Sequence, residues 1–187
     1  MAAPAEVTLK DLSGQWVMNK TLSDDPDEVL ALQGMGWLTR KAIAIATLTL
    51  HAKQYTDDAS IVHIDIDQTT TGGIKGTTEL RTLDWTERTH EDHVFGMLMG
   101  RNRWSSFQEI DDAYLKEGWL EGDEEKAGPD GERHVESFVR NEKNGWKAQQ
   151  IWGFAIVEGK RYHTRRVVVT KGDKVLKIRL VYDWQGK

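Results

Sequence analysis

The chain has 187 residues, a formal charge of −5 and a pI near 5.7, which fits one domain and leaves no clustered positive field of the kind nucleic acid or an anionic membrane surface requires. Without cysteine it has no disulfide, no thiolate metal ligand and no cysteine nucleophile. No stretch approaches the roughly 20 apolar residues of a membrane helix, and the start, MAAPAEVTLK, lacks a basic segment followed by an apolar one, so a cytoplasmic protein without stable membrane insertion is expected.

Runs rich in Val, Ile, Thr and aromatic residues, separated by Gly, Asp, Asn and Lys, predict strands, and the first is Gly14–Lys20. A helical break follows between Ser23 and Ala46. Asp25-Pro26-Asp27-Glu28 reads as a capping-box start with proline at the first helical position, and Gly34 stops that helix after about two turns. A second helix from Gly36 carries Leu38, Ala42 and Ile45 on one stripe, with Thr39, Arg40 and Lys41 facing away. Helices this short are marginal alone, so the apolar stripes are expected to rest on the rim of the sheet as a lid.

Further strands are predicted at Thr47–Tyr55, Ile61–Thr69, Thr77–Thr86, His93–Leu98 and Asn102–Ile110. Next comes an acidic, glycine-rich stretch, Asp111–Glu132, with Tyr114, Leu115, Trp119 and Leu120 embedded. It reads either as a solvated insertion pinned by its aromatic residues or as a second flap over the barrel mouth. Strands at Arg133–Asn141, Trp146–Val157, Lys160–Thr170 and Lys174–Trp184 close the chain, joined by short glycine-bearing turns as a meander of hairpins. The fold class is therefore mainly β: one domain, residues 1–187, built as an antiparallel up-and-down barrel of about ten strands with a helix-turn-helix after the first.

Gly14-Gln15-Trp16 opening the first strand, followed by the helix pair DEVLALQGMGWLTRK, resembles the intracellular lipid-binding proteins, the fatty-acid- and retinoid-binding branch of the calycins. Asp27, Glu28, Leu30, Gly34, Gly36, Thr39, Arg40 and Lys41 match that family's helix pair without a gap, and Trp37 stands where the family has phenylalanine. Thr78-Glu79-Leu80 and Leu83-Asp84-Trp85 echo its fourth strand. The resemblance implies a barrel enclosing a cavity, with the helix pair as a hinged portal, and it covers Gly14 to about Ala46 most closely.

The departures from that family bear on the ligand. Its carboxylate anchor is an Arg-x-Tyr pair on the last strand, but here Arg179 and Tyr182 are three apart and project to opposite faces. If Tyr182 faces inward, Leu176, Ile178, Leu180 and Trp184 share its face while Lys177, Arg179 and Asp183 face water. The family's second arginine, before a tryptophan on the eighth strand, corresponds to Ile151 before Trp152. With both anchors absent, a free fatty acid does not suit the cavity, and an inward Arg81 or Arg166 is the expected replacement.

The candidate ligand-binding set is Met35, Trp37 and Leu38 from the lid with Arg81, Trp104, Trp152, Arg166, Leu180 and Tyr182 from strands. For the tryptophans, ordinary core packing is the competing reading, and Trp16 reads as a plug at the barrel base. His63, Asp65 and His163 form an alternative acid–base set; His63, Asp65 and Asp67 share one face of their strand, which a solvated outer wall also explains. His90-Glu91-Asp92-His93 sits in a polar turn without metal-ligand spacing, and no metal or cofactor is expected. No G-x-S-x-G elbow, phosphate loop or dinucleotide fingerprint occurs. The expected function is binding or transport of a hydrophobic small molecule, a lipid, terpenoid or polyketide, by a monomer or weak dimer. The alternative is an isomerase, cyclase or dehydratase using the same cavity, and a filled barrel would mark a purely structural module.

Overall fold

The computed structural model describes residues 1–187. Ten antiparallel strands form one sheet: β1 (Gly14–Met18), β2 (Leu48–Thr56), β3 (Val62–Thr70), β4 (Ile74–Thr82), β5 (Arg88–Asp92), β6 (Gly96–Ser105), β7 (His134–Asn141), β8 (Trp146–Val157), β9 (Lys160–Lys171) and β10 (Lys174–Gly186). The spatial order is β4-β3-β2-β1-β10-β9-β8-β7-β6-β5. Every neighbour but the β1–β10 pair is a sequence neighbour, and that pairing curls the sheet into a nearly closed barrel with β4 and β5 facing each other unpaired. The helices α1 (Asp27–Leu32) and α2 (Trp37–Ile45) follow β1.

Ten strands were expected and ten occur, but β5 lies several residues earlier than the apolar run His93–Leu98 suggested. Asp92 accepts the backbone N–H groups of Val94 and Phe95 at 2.7 and 2.9 Å, and Gly96 takes φ +74°. Those apolar residues therefore form the turn. The side-chain turn at Asp92 overrides the β-propensity of its neighbours.

The opening glycine has a physical reason. Gly14 holds φ +140°, and a Cβ there would sit 2.8 Å from the Gly186 carbonyl oxygen and collide with the Trp184 ring. Its bareness lets Trp184 lie against Trp16, ring centroids 4.6 Å apart. Gly14→Ala is expected to destabilise the protein by about 2–4 kcal/mol, from overpacking plus backbone strain, read as a lowered urea midpoint at unchanged m-value.

The end of the barrel opposite the helices is solid. Ala3, Val7, Leu9 and Leu12 from the N-terminal segment join Trp16, Trp152, Phe154, Tyr182 and Trp184 in the largest apolar cluster. Trp16 Nε1–H donates to the Leu12 carbonyl at 3.0 Å, as expected of a plug with a polar handle. Arg161 fastens this base: it is bidentate to Glu125 at 2.9–3.0 Å and donates to the carbonyls of Pro4 and Val7.

The acidic segment is not a flap over the mouth. It leaves β6 at the base, away from the helices, and lays Leu115 with Phe107, Tyr114 and Trp119 over Ile151 and Val168 on the outer wall of β8 and β9. Those two strands are apolar on both faces, so their outer face needs a cover, and the segment's aromatic residues supply it. The pinned-insertion reading holds.

The lid differs from its expected packing. α1 buries Val29, but α2 buries nothing. Leu38 is 70% and Ile45 86% exposed, while Arg40, expected to face away, turns inward to Asp27 at 3.1 Å and the Met35 carbonyl at 3.0 Å. These two anchors, with Lys20 on the last-turn carbonyls of Ile43 and Ala44, set the roll of the helix in place of its apolar stripe. A helix held by a few polar contacts opens locally at low free energy.

Candidate active site

The apolar stripe expected on β10 is observed, with Tyr182 and Trp184 in the base cluster, Ile178 in the upper one and Leu180 against both. Arg179 lies on the outer face, where its guanidinium donates to the Leu22 carbonyl. Pairing then assigns the walls beside it: Leu180 faces Arg165 and Tyr182 faces His163 on β9, while Arg165 faces Trp152 on β8. Two apolar clusters occupy the ends of the interior, the base and the level of α1. Between them lies a polar belt.

One side of the belt is an ion triad. Ile66 of β3 pairs with Glu79 of β4, and Ile64 with Arg81, which points both charged side chains inward beside core isoleucines. Glu79 accepts from Gln68 at 2.8 Å, Arg81 at 3.1 Å and Arg165 at 3.3 Å. The Glu79–Arg165 pair bridges the barrel interior from β4 to β9, strands separated in the sheet by β3, β2, β1 and β10. Burial alone would raise the Glu79 pKa, but the two guanidiniums hold it down to about 2. Two cations against one anion leave the belt with a net positive charge inside a chain that is acidic overall.

Arg165 stacks 3.8 Å from the Trp152 ring centroid, and Arg81 lies 5.7 Å from the same ring. The Nε atoms of both arginines are buried without a hydrogen-bond partner. Gln68, Glu79, Arg81, Gln150 and Leu180, all inward-facing, are only half-buried, so solvent reaches this level of the interior. Tyr182 is held neutral because burial raises its pKa, which keeps its O–H as a donor.

His163 lies deeper, among Trp16, Phe154 and Tyr182. Its Nδ1 is 3.1 Å from the Gly153 carbonyl oxygen, and burial with the nearby Arg165 charge lowers its pKa to about 3. It is a neutral core histidine at physiological pH. His63 and Asp65 are not in the interior: His63 bonds Asp57 at 2.8 Å and stacks on Tyr55 on the outer wall, and Asp65 pairs with Lys53 and Leu80 on the same outer face. The solvated-wall reading of that strand is correct, and no histidine–carboxylate pair faces the cavity.

Of the expected ligand-binding residues, Arg81, Trp152, Leu180 and Tyr182 meet in the belt, and Trp104 packs on the base cluster. Arg166 is a correction: it points outward, to the Tyr114 carbonyl at 3.4 Å and Glu117. Trp37, 66% exposed, and Leu38 are also corrections, both lying on the solvent side of α2; Met35, in the turn between the two helices, is buried. Arg165, the central guanidinium, was missed. Val167-Val168-Val169 next to it is apolar on both faces, so the alternation that would have separated Arg165 from Arg166 was erased.

No family model matches the chain. It is 36% identical over 188 residues, 99% of this chain and 95% of the relative, to a protein named probable pericyclase scpY from Mollisia scopiformis. It is 32% identical over 189 residues, 100% of this chain and 98% of the relative, to pericyclase pydY from Acremonium sp. Among solved structures it is similar to the apo lipid binding protein 8 of Caenorhabditis elegans, with a TM-score of 0.58 and 13% identity over 99% of both chains, a likeness of fold.

Proposed function

The chain belongs to the family of these two pericyclases, and from that premise we propose that it catalyses an intramolecular pericyclic reaction of a flexible, polyunsaturated substrate held in the barrel. The names of the relatives favour the enzyme over the carrier that the lipid-binding resemblance suggests. A pericyclic step reorganises π electrons around a ring in one event, with no proton transferred and no covalent intermediate. It needs no acid–base pair. That agrees with an interior whose one histidine is neutral and whose only carboxylate in the belt is bound to arginines.

What such a reaction does need is a folded reactant and a polarised π system. The buried Trp152 and Tyr182 form the floor of the belt and the half-buried Leu180 an apolar wall against which a chain is held in its reactive fold; restricting it so removes much of the entropic part of the barrier. The unpartnered Nε edges of Arg81 and Arg165 are placed to hydrogen-bond a carbonyl conjugated to the reacting double bonds, drawing electron density from them. Glu79 orients both guanidiniums and offsets one of their charges. The observation that carries the reading is this pair of buried guanidiniums with free edges, set in the polar belt of a chain so similar to named pericyclases.

The test is to incubate the purified protein with the substrate of the relative pericyclase pydY and to follow products by chromatography and mass spectrometry. The expected product has unchanged mass, a new ring and a single stereochemistry, formed faster than in buffer. Binding of the substrate, seen as tryptophan quenching, without any acceleration would instead establish a carrier.

A further inference from the structure

Beside the ion triad, on β6 to β8 between β4 and β9, the belt continues as a row of neutral polar side chains that the arginine chemistry does not use. Asn102 on β6 pairs with Ser137 on β7, and Ser137 pairs with Gln150 on β8. All three face inward. Ser137 lies between Val135 and Val139 of the two interior clusters, and Gln150 lies between Ala148 and Trp152. The row ends at Val167, the residue opposite Gln150 on β9.

Asn102 is 6% and Ser137 0% exposed, yet Asn102 Oδ1 and Ser137 Oγ have no hydrogen-bond partner. Gln150 Oε1 accepts from the Trp152 indole at 3.1 Å, which fixes the side chain and leaves its amide N–H groups free. A buried polar atom without a partner costs about 1–3 kcal/mol, and nearly all such atoms in folded proteins are paired. Two of them on adjacent strands, at a level where apolar residues would fill the same space, point to a partner that is not part of the chain.

Resting on the reaction proposed above, we infer that Asn102, Ser137 and Gln150 form a second subsite that binds a neutral carboxamide of the substrate. The hydrogen-bonding capacities match that group. Its carbonyl accepts from Ser137 O–H and a Gln150 N–H, and its N–H donates to Asn102 Oδ1. A carboxylate does not suit this row, because no cation lies in it and an unpaired buried charge is far more costly than a neutral group. With a carbonyl on the arginines and a carboxamide on this row, a substrate would be pinned at two neighbouring points of the belt, which sets how the chain between them folds.

The experiment uses cis-parinaric acid derivatives, polyenes whose fluorescence rises in an apolar cavity: the primary amide, the N,N-dimethylamide and the methyl ester. The wild-type protein is expected to bind the primary amide at least about tenfold more tightly than either of the others. Asn102→Leu is expected to reduce that ratio towards one, because Asn102 Oδ1 serves only the amide N–H, whereas Ser137→Ala is expected to weaken all three probes several-fold through the carbonyl they share. Ser137→Ala should also raise the melting temperature, since it removes an unpaired buried hydroxyl, and Asn102→Ala reads the same ratio should Asn102→Leu fold poorly. Equal binding of amide and ester by the wild-type protein, or a preference that survives in the Asn102 variants, overturns the carboxamide subsite and leaves the proposed reaction standing. Failure of all three probes to bind overturns both, because the cavity itself would then be closed to a polyene.

Discussion

Arg165→Met is expected to lower kcat by about two to three orders of magnitude with little change in stability, the loss typical of removing one preorganised donor from a developing or polarised oxygen. The fold survives because Glu79 retains Arg81 at 3.1 Å and Gln68 at 2.8 Å, so the variant holds a neutral pair in place of a net cation. Glu79→Gln has the opposite signature. It leaves two guanidiniums facing one uncharged amide, and breaking a buried ion cluster from one side destabilises by about 3–5 kcal/mol. Steady-state rates and denaturant midpoints measured on the two variants separate the roles: a rate defect in a stable protein for Arg165, a stability defect for Glu79. Equal stability losses in both would mean that Arg165 is held only to satisfy Glu79. Arg165→Lys should recover little activity, since an ammonium cannot present the planar edge that the stacked guanidinium offers beside Trp152.

Acid should unfold the protein in two stages with different owners. Burial and the Arg165 charge depress the His163 pKa to about 3 in the folded state, against about 6.5 when unfolded. Between those values the unfolded chain binds a proton that the folded chain refuses, so stability falls as pH drops from about 6.5 to 3, by roughly 4–5 kcal/mol at most. Glu79 acts lower. Its folded pKa of about 2 lies below the ordinary value of 4.5, so the stability of its charged form is complete above about 4.5 and is lost as pH falls to 2, on the order of 3 kcal/mol. Urea midpoints taken from pH 7.5 to 3 should decline from just above 6.5. His163→Phe should flatten the upper part of that decline, although losing the bond to the Gly153 carbonyl lowers the whole curve. A variant curve parallel to that of the wild type would show that His163 titrates normally, and thus that its site is wet.

Trp16, Gly14 and the helix-pair motif were legible because each reports a local or near-invariant physical need: a bare Cα under Trp184, a tryptophan with its own backbone acceptor, a chain reversal at Gly34 with φ +93°. The inward stripe of β10 was legible because one of its faces meets water and the alternation is intact. Arg81 was narrowed to a short list by the missing family anchors. Arg165 was not, and neither was the Asn102–Ser137–Gln150 row, whose members are scattered over three strands with no pattern to join them. The lid's roll was misjudged for a related reason: the hydrophobic stripe of α2 is real, but Arg40 and Lys20 hold the helix by its polar groups and turn that stripe outward.

By itself the amino-acid sequence determined the class of fold, the number of strands, the place of the helix pair and the absence of the usual carboxylate anchors, because strand alternation, turn residues and caps act over a few neighbours. Only the tertiary structure decided which charges share the interior. Glu79 and Arg165 are 86 residues apart and meet because β1 pairs with β10, and the wall each faces depends on a register in which a shift of one residue exchanges inside for outside.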